Sequence, residues 1–346
     1  MRPGALSIAA GGAAVAGALV GVVAERGLMA RFFTSSGGDE AYGSLHGESV
    51  RVVADDGTSL YAEVDEPEDP RFADVTVVFS HGYSLNLDTW HYQRRDLRGR
   101  ARLVFWDQRS HGRSQRGPQG SATIDQLGRD LAAVIAECAP TGRIVLVGHS
   151  MGGMTIMSLA AHDPDLFGER VRGVALLATS AGHLSDVTLR LPAPAARVLQ
   201  RHTEDVATLL AARAADVDRS RKRTSDLTFL MTKRYSFGEQ RVSRAHTQFV
   251  ADLLGSTPIE VVAEYLPEFS RHDKAEALAA LQRVETLVMV GDNDALTPDS
   301  HSSEIVRRIP AAELVIVPDT GHMIISERPE IVNRHLLDLL ATVRDT

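Results

Sequence analysis

The chain has 346 residues, of which 44% are hydrophobic and 24% are charged, close to the average of folded globular proteins. Its formal net charge of −8 supplies no broad cationic surface for a phosphate backbone, so we do not expect nucleic acid as a partner. The single cysteine, Cys138, excludes an internal disulfide and a metal site built from several cysteines, and we interpret it as a small buried helix residue. Length alone allows one large domain with an insertion or two smaller domains.

The N-terminal segment, residues 3–24, contains no charged residue and is long enough to cross the apolar core of a bilayer. Three interpretations are open: a membrane anchor, which we favour, a cleaved export signal, and an apolar helix of a cytoplasmic protein. We assign residues 1–31 to this segment and the start of a linker, and residues 32–47 to the linker itself. The expected location is therefore the membrane or the cell envelope, with the cytoplasm as the alternative.

The remainder of the chain alternates between strand and helix patterns. Alternating polarity around the turn Asp55-Asp56-Gly57 predicts an opening β-hairpin. Continuous apolar runs then predict strands buried on both faces. These runs are residues 75–80, 102–107, 143–148, 173–180, 285–291 and 313–319. Helical patterns between them, at 124–136 and 155–161, predict an α/β fold with a mostly parallel sheet and helices on both faces. Ligands are expected at the carboxyl ends of the strands.

One long stretch, residues 181–273, shows helical periodicity but no strand pattern. It predicts a helical lid inserted into a core made of residues 48–180 and 274–346. A basic run at residues 219–223 lies within it. We interpret this run as a solvated helix face, with contact to anionic lipid headgroups as the alternative.

Ser150 lies in the sequence GHSMG, directly after an apolar run and directly before a helical pattern. A serine nucleophile of the G-x-S-x-G type requires this strand, turn and helix. The turn is tight, so the side chains two residues before and two after must be minimal, and Gly148 and Gly152 satisfy this requirement. Because a free hydroxyl is a weak nucleophile at neutral pH, Ser150 needs a base and a third group that orients the base.

Candidates for the base and the acid follow the last two predicted strands. His322 comes after the run at 313–319, and Asp292 and Asp294 come after the run at 285–291. The order serine, acid, histidine agrees with a nucleophile of this type. Asp292 adjoins the strand end and suits the turn, so we prefer Asp294 as the acid and His322 as the base.

The expected oxyanion hole consists of two backbone amides. Met151 follows the nucleophile and supplies the first amide, and Tyr83, in the loop after the run at 75–80, supplies the second. Gly82 allows the backbone to turn there, which leaves the ring of Tyr83 available as a wall of the pocket. His111, in the loop 107–114, is a second candidate base, but we interpret its loop as a turn held by side-chain to backbone hydrogen bonds.

Five motifs together resemble the α/β-hydrolase superfamily. They are HGYS at 81–84, DQRSHGRS at 107–114, GHSMGG at 148–153, GDNDALTP at 291–298 and GH at 321–322. The resemblance covers residues 48–343 and implies the α/β-hydrolase fold. It also implies catalytic roles, with Ser150 as nucleophile, Asp294 as acid, His322 as base, and Tyr83 and Met151 as amide donors.

Two positions refine this resemblance. Ser110 departs from the pattern, since related members carry glycine there, and this departure concerns only the geometry of the local turn. Serine at position 150 separates the chain from the similar epoxide hydrolases and haloalkane dehalogenases, which use aspartate at that position.

We expect a serine esterase that acts on a lipid-like or monoacylglycerol-type ester through an acyl-enzyme, with no metal or organic cofactor. Carbon–carbon bond hydrolases, lactonases and cofactor-free perhydrolases reuse the same triad and stay open as alternatives. A non-catalytic binding protein is disfavoured, because no member of the triad is missing from the sequence. No sequence feature bears on the oligomeric state.

Overall fold

The computed structural model describes residues 41–184, 202–215, 232, 234, 236–238 and 242–345. The apolar segment at 3–24 and the basic run at 219–223 lie outside these residues. Within them, no helix combines the length and the apolar character needed to cross a membrane.

The strands of the described chain form one eight-stranded sheet, in the order β1-β2-β4-β3-β5-β6-β7-β8. They are β1 (Glu48–Val53), β2 (Ser59–Asp65), β3 (Val75–Ser80), β4 (Arg102–Asp107), β5 (Arg143–His149), β6 (Val171–Leu177), β7 (Glu285–Gly291) and β8 (Glu313–Val317). β2 pairs antiparallel with both β1 and β4, and every other pair is parallel. The predicted opening hairpin and the mostly parallel sheet are therefore confirmed.

One expectation about the sheet is wrong. The run at 313–319 predicts a strand buried on both faces, but β8 ends at Val317 and forms an edge of the sheet. Among the residues that the structure describes, it pairs only with β7, and Ile316 is 44% exposed. An apolar run reports the residues of a strand, but it does not report whether a further strand lies beside it.

Helices cover both faces of the sheet. The longer ones are α1 (His91–Leu97), α2 (Ile124–Cys138), α3 (Met151–His162), α4 (Thr203–Ala212), α5 (Arg244–Ser256), α6 (Ile259–Arg271), α7 (Asp299–Arg308) and α8 (Pro329–Asp345). Single turns occur at Leu166–Glu169, Leu278–Leu281 and Ile324–Glu327, and 3-10 turns occur at Pro70–Phe72, Leu87–Trp90 and Ala275–Ala277. The two predicted helices are present and extend to the bounds of α2 and α3.

Successive residues of the central strands contribute to two separate cores. In β3, Val78 packs in the core that includes α2 and α3, whereas Val77 and Phe79 pack in the core that includes α1 and α8. This division follows from the two-residue periodicity of a strand. Cys138 is a free, buried residue of the first core, as predicted. Burial of a large apolar side chain, such as Val78 or Phe79, stabilises the fold by about 1.5–3 kcal/mol.

The two ends of the insertion at residues 181–273 are held together at the carboxyl end of β6. Gly182 and Asp273 form an isolated antiparallel bridge, and the Lys274 amide donates a hydrogen bond of 2.7 Å to the Ala181 carbonyl. The described helices of the insertion are α4, α5 and α6. The assignment of the whole segment as a lid stays a prediction.

Candidate active site

Ser150 occupies the turn between β5 and α3, with a φ of 53° and a ψ of −117°. A non-glycine residue in such a conformation costs about 1–3 kcal/mol, which the surrounding structure must supply. Its amide donates a hydrogen bond of 2.9 Å to the Leu177 carbonyl at the end of β6, so the turn is fixed to the neighbouring strand. The side chain is 9% exposed at the carboxyl edge of the sheet.

The glycines around Ser150 are required by close backbone contacts. A Cβ at Gly148 would lie 2.5 Å from the Gly152 carbonyl oxygen. A Cβ at Gly152 would collide with the Ser80 carbonyl oxygen and would lie 2.9 Å from that of His81. The first turn of α3 therefore lies directly against the end of β3 and the loop that follows it.

His322 and Asp294 form a buried hydrogen-bonded pair between the loops after β7 and β8. The distance from His322 Nδ1 to Asp294 Oδ2 is 2.8 Å. Asp294 also accepts bonds from the Leu296 amide at 2.8 Å and from the Thr297 amide and hydroxyl at 2.9 and 2.8 Å. Burial alone would raise the pKa of Asp294, but His322 and the Thr297 donors outweigh it and hold the pKa below its ordinary value.

Asp292, the other candidate acid, is exposed and is directed to the backbone of the loop that carries His322. Its Oδ1 accepts a hydrogen bond of 3.3 Å from the Thr320 amide, and its own amide donates one of 3.1 Å to the Val317 carbonyl. The structure therefore gives Asp292 a role in the turn and places Asp294 beside His322.

His149 links the end of β5 to the loop of His322. Its Nε2–H donates a hydrogen bond of 2.9 Å to the His322 carbonyl, and the two ring centroids lie 5.0 Å apart. Burial, followed by the charge of a protonated His322, lowers the pKa of His149 to about 3, so its ring is a neutral donor. Because Ser150 follows His149 directly, this contact brings the serine turn and the histidine loop together.

The loop after β3 brings Tyr83 to the same edge of the sheet. Gly82 packs against the His149 ring, since an added Cβ would lie 2.9 Å from Nδ1. The Tyr83 hydroxyl donates a hydrogen bond to the Val262 carbonyl of α6, and its ring meets Phe269 edge-on at 4.9 Å. The ring thus contacts the insertion, so Tyr83 joins the loop after β3 to helix α6.

Side-chain contacts that the sequence does not reveal hold this loop. His81 Nδ1–H donates to the Gly82 carbonyl at 2.8 Å, and His81 Nε2 accepts from the Gln108 amide at 3.0 Å. The Gln108 carboxamide oxygen accepts a bond of 2.6 Å from the Thr155 hydroxyl in α3. These contacts connect the loop after β3, the loop after β4 and helix α3.

His111 uses both ring nitrogens to hold backbone, as predicted. Nε2 accepts a bond of 3.2 Å from the Ser84 amide, and Nδ1–H donates one of 3.0 Å to the Arg109 carbonyl. Burial lowers its pKa to about 4. Ser110, the departure from the family pattern, has a φ of 67°, which explains the preference for glycine in related proteins.

Arg109 is a structural residue that the sequence does not distinguish from a surface arginine. Its side chain is fully buried and makes two hydrogen bonds of 2.6 Å to the Asp130 carboxylate in α2. It also donates a bond of 2.7 Å to Asp56 in the hairpin turn. The loop after β4 is thereby fixed to the opening hairpin and to α2.

The residues described include no group of three or more His, Cys, Asp or Glu side chains arranged to hold a metal ion. Comparison with known proteins places the chain in a family: the model of the alpha/beta hydrolase fold matches residues 75–329.

Several curated proteins are similar to the chain. It is 28% identical to a non-heme haloperoxidase of Rhodococcus erythropolis, over 84% of this chain and 98% of that protein. It is 27% identical to an sn-1-specific diacylglycerol lipase of Mus musculus, over 66% of this chain and 68% of the lipase. It is 25% identical to the dihydrolipoyllysine-residue acetyltransferase component of the acetoin cleaving system of Pseudomonas putida, where it covers 76% of its own length but only 63% of the relative's.

Several solved structures are also similar to the chain. A thermophilic esterase from Thermogutta terrifontis superposes with a TM-score of 0.68 and 26% identity, covering 86% of this chain and 99% of the esterase. An enol-lactonase from Burkholderia xenovorans LB400 superposes with a TM-score of 0.65 and 23% identity, covering 84% of this chain and all of the lactonase (100%). The second similarity concerns the fold alone.

Proposed function

Because the chain belongs to the α/β-hydrolase fold family, we propose that it is a serine hydrolase that cleaves carboxylic esters through an acyl-enzyme on Ser150. The observation that carries this proposal is the buried pair of His322 and Asp294, with 2.8 Å between Nδ1 and Oδ2. The loop of His322 is in turn joined by His149 to the strained turn of Ser150. A strained serine, a histidine and a buried carboxylate together form the constellation that acyl transfer requires.

Each residue then has a defined task. His322 donates its Nδ1–H to Asp294, which leaves Nε2 free to take the proton of the Ser150 hydroxyl as its oxygen attacks the ester carbonyl. The amides of Met151 and Tyr83 stabilise the oxyanion. His322 returns the proton to the departing alcohol and the acyl group stays on Ser150. Water, deprotonated by His322, then releases the acid and restores the serine.

We propose an apolar acyl group for the substrate. Met151 belongs to a cluster that consists of apolar and aromatic side chains of the core and of α6. Its members are Ala122, Ile124, Leu127, Met151, Met154, Val261 and Tyr265, with Tyr83, Leu184 and Phe269 packed against them. The similarity to a diacylglycerol lipase supports a lipid-like ester. A membrane anchor at residues 3–24 would place such an enzyme beside lipid substrates, and we keep this location as part of the proposal.

A second candidate is a cofactor-free perhydrolase or a lactonase on the same triad. The similarity to a non-heme haloperoxidase favours the first of these, because it extends over 84% of this chain and 98% of that protein. Both candidates use Ser150 in the same role, so they differ from an esterase only in the acceptor or in the bond that is broken.

The test is hydrolysis of p-nitrophenyl esters of graded chain length by the wild type, Ser150→Ala and Ser158→Ala. Ser158 lies on the same helix, and its hydroxyl contacts Asp125, so Ser158→Ala is the matched control. We expect kcat of Ser150→Ala to fall by at least about 10³-fold and kcat of Ser158→Ala to stay at the wild-type value. Equal turnover by Ser150→Ala would refute the proposal. Hydrolysis of a lactone, or formation of a peracid, in the absence of ester hydrolysis would favour the second candidate.

A further inference from the structure

Glu327 lies in the single turn Ile324–Glu327 that follows His322, and its carboxylate accepts hydrogen bonds from two backbone amides. The Gly321 amide donates to Oε2 at 2.8 Å. The Gly238 amide donates to both carboxylate oxygens at 3.1 Å. One of these amides directly precedes His322, and the other belongs to the insertion. The carboxylate therefore connects the two segments.

The segment 236–238 of the insertion is packed tightly on the loop that carries His322. A Cβ at Gly238 would lie 2.9 Å from the Asp319 carbonyl oxygen, and a Cβ at Gly321 would lie 2.5 Å from the Gly238 nitrogen. The Met323 amide donates a hydrogen bond of 2.8 Å to the Ser236 carbonyl. Backbone atoms on both sides of His322 are thus held by residues outside the sheet.

The hydrogen bonds that the Gly321 and Gly238 amides donate to Glu327 end on a carboxylate, so they are charge-assisted. The side chain is partly buried, and hydrogen bonds to an ionised acceptor are roughly twice as strong as those between neutral groups. Burial, although opposed by the two amides and by Arg328, raises the pKa of Glu327 above its ordinary value. A partly buried carboxylate loses some of its hydration, and the amides of Gly321 and Gly238 replace the lost hydrogen bonds.

We propose that Glu327 is a positioning residue that fixes the backbone of His322 and ties the base to segment 236–238 of the insertion. The proposal rests on the proposed function, in which His322 is the base. A shift of segment 236–238 is then transmitted through Glu327 to the histidine. Loss of this connection lowers the chemical rate and leaves substrate affinity largely unchanged, because Glu327 itself lies behind the base.

The test compares Glu327→Gln with Glu330→Gln, an exposed glutamate on the neighbouring helix. Glutamine keeps the size of Glu327, but it removes the charge and turns one acceptor into a donor. We expect kcat on a p-nitrophenyl ester to fall about tenfold with KM within about twofold, since small misplacements of a catalytic group cost one to two orders of magnitude. Glu330→Gln should match the wild type. Unchanged kcat in Glu327→Gln, or a rise in KM that accounts for the loss, would overturn the proposal.

A second measurement does not depend on activity. Amide hydrogen exchange at residues 236–238 and 319–323 should be faster in Glu327→Gln than in wild type and unchanged in Glu330→Gln. Equal protection would overturn the connection even if the enzyme is slower. If Ser150→Ala shows that the protein is not a serine hydrolase, exchange still decides whether Glu327 links the two segments.

Gly238→Ala provides a variant that leaves Glu327 intact. The added methyl displaces segment 236–238 from the histidine loop, since it would lie 2.9 Å from the Gly321 nitrogen. We expect the same fall in kcat with little change in KM. Gly238→Ala keeps the proposal testable if Glu327→Gln does not fold. Full activity of Gly238→Ala, together with faster amide exchange at 236–238, would show that His322 is independent of the insertion and would overturn the proposal.

Discussion

At the scale of single residues, the site consists of a strained serine and a histidine whose Nδ1 is fixed by a carboxylate. Asp294 accepts hydrogen bonds from His322, Leu296 and Thr297, so its ionised form is stabilised although it is buried. A fixed carboxylate of this kind selects the tautomer of His322 with the proton on Nδ1, and in the proposed mechanism Nε2 of this tautomer accepts the proton of Ser150.

Asp294→Asn tests this role. The asparagine carries an NH₂ group in place of one oxygen, so it cannot accept both from the Leu296 and Thr297 amides, which bind Oδ1, and from His322, which binds Oδ2. The tautomer of His322 is then no longer selected. We expect kcat to fall about 10³–10⁴-fold, the size of effect known for such a change in a serine triad. Asp292→Asn is the matched control and should keep kcat within a few fold. A larger loss in Asp292→Asn would transfer the role of the acid to that residue.

Several residues of the site could be predicted from the sequence and others could not. Ser150, His322 and Asp294 follow recognisable strand patterns, and the contacts of Gly148 and Gly152 agree with the small residues the motif requires. The roles of His149 and Glu327 depend on contacts between distant segments, and nothing in the local sequence marks a buried histidine or glutamate as a partner of a backbone group.

At the scale of elements, the loops that form the site are fixed by contacts to their neighbours. The loop after β4 is joined to the hairpin turn and to α2 through Arg109. Helix α6 of the insertion lies on the loop after β3 through Tyr83 and on the loop after β4 through Tyr265, whose hydroxyl is 3.4 Å from the Arg109 carbonyl. The insertion therefore shares contacts with two loops of the core.

Arg109→Met tests the buried connection. Removal of the guanidinium leaves the Asp130 carboxylate buried without its bidentate partner, so we expect a loss of about 3–5 kcal/mol in the free energy of unfolding. The measurement is equilibrium unfolding in urea, in which we expect the variant and the wild type to show the same dependence of the unfolding free energy on urea concentration. Arg113→Met, whose side chain is 39% exposed beside Glu63, is the control and should lose at most about 1 kcal/mol. If Arg109→Met loses no more than Arg113→Met, the buried contact between Arg109 and Asp130 contributes no more to stability than an exposed ion pair.

At the scale of the whole molecule, the succession of strands along the chain could be predicted, together with α2 and α3, but the position of β8 at the edge of the sheet could not. Strand order depends on which elements pair, and this is decided by packing between segments that are far apart in sequence. The same limit applies to the insertion, since helical periodicity at 181–273 predicts helices but does not predict which surface of the core they cover.

The whole molecule also contains several buried neutral histidines, which should make it sensitive to acid. Burial lowers the pKa of His81, His111, His149 and His272. For His111, the unfolded chain binds a proton below a pH of 6.5, whereas the folded chain binds one only below about 4. Between these values the unfolded state takes up more protons, so stability falls as the pH falls. Asp107, whose pKa burial raises to about 7, acts in the opposite direction.

His111→Gln isolates one of these contributions. Between pH 7 and pH 5 the wild type should lose about 2 kcal/mol more of its unfolding free energy than the variant, because only the wild type carries a titrating group at this position. Asp107 titrates in both proteins, so its contribution cancels. Urea unfolding at the two pH values provides the measurement. Parallel losses in the two proteins would show that folding does not lower the pKa of His111.

The most direct test of the central claim is to identify the residue that a fluorophosphonate probe modifies, by peptide mapping of the labelled wild-type protein with mass spectrometry. The predicted result is one adduct on Ser150 that is absent in Ser150→Ala and slower to form in Asp294→Asn. An adduct on another residue, or unchanged labelling of Ser150→Ala, would contradict the account.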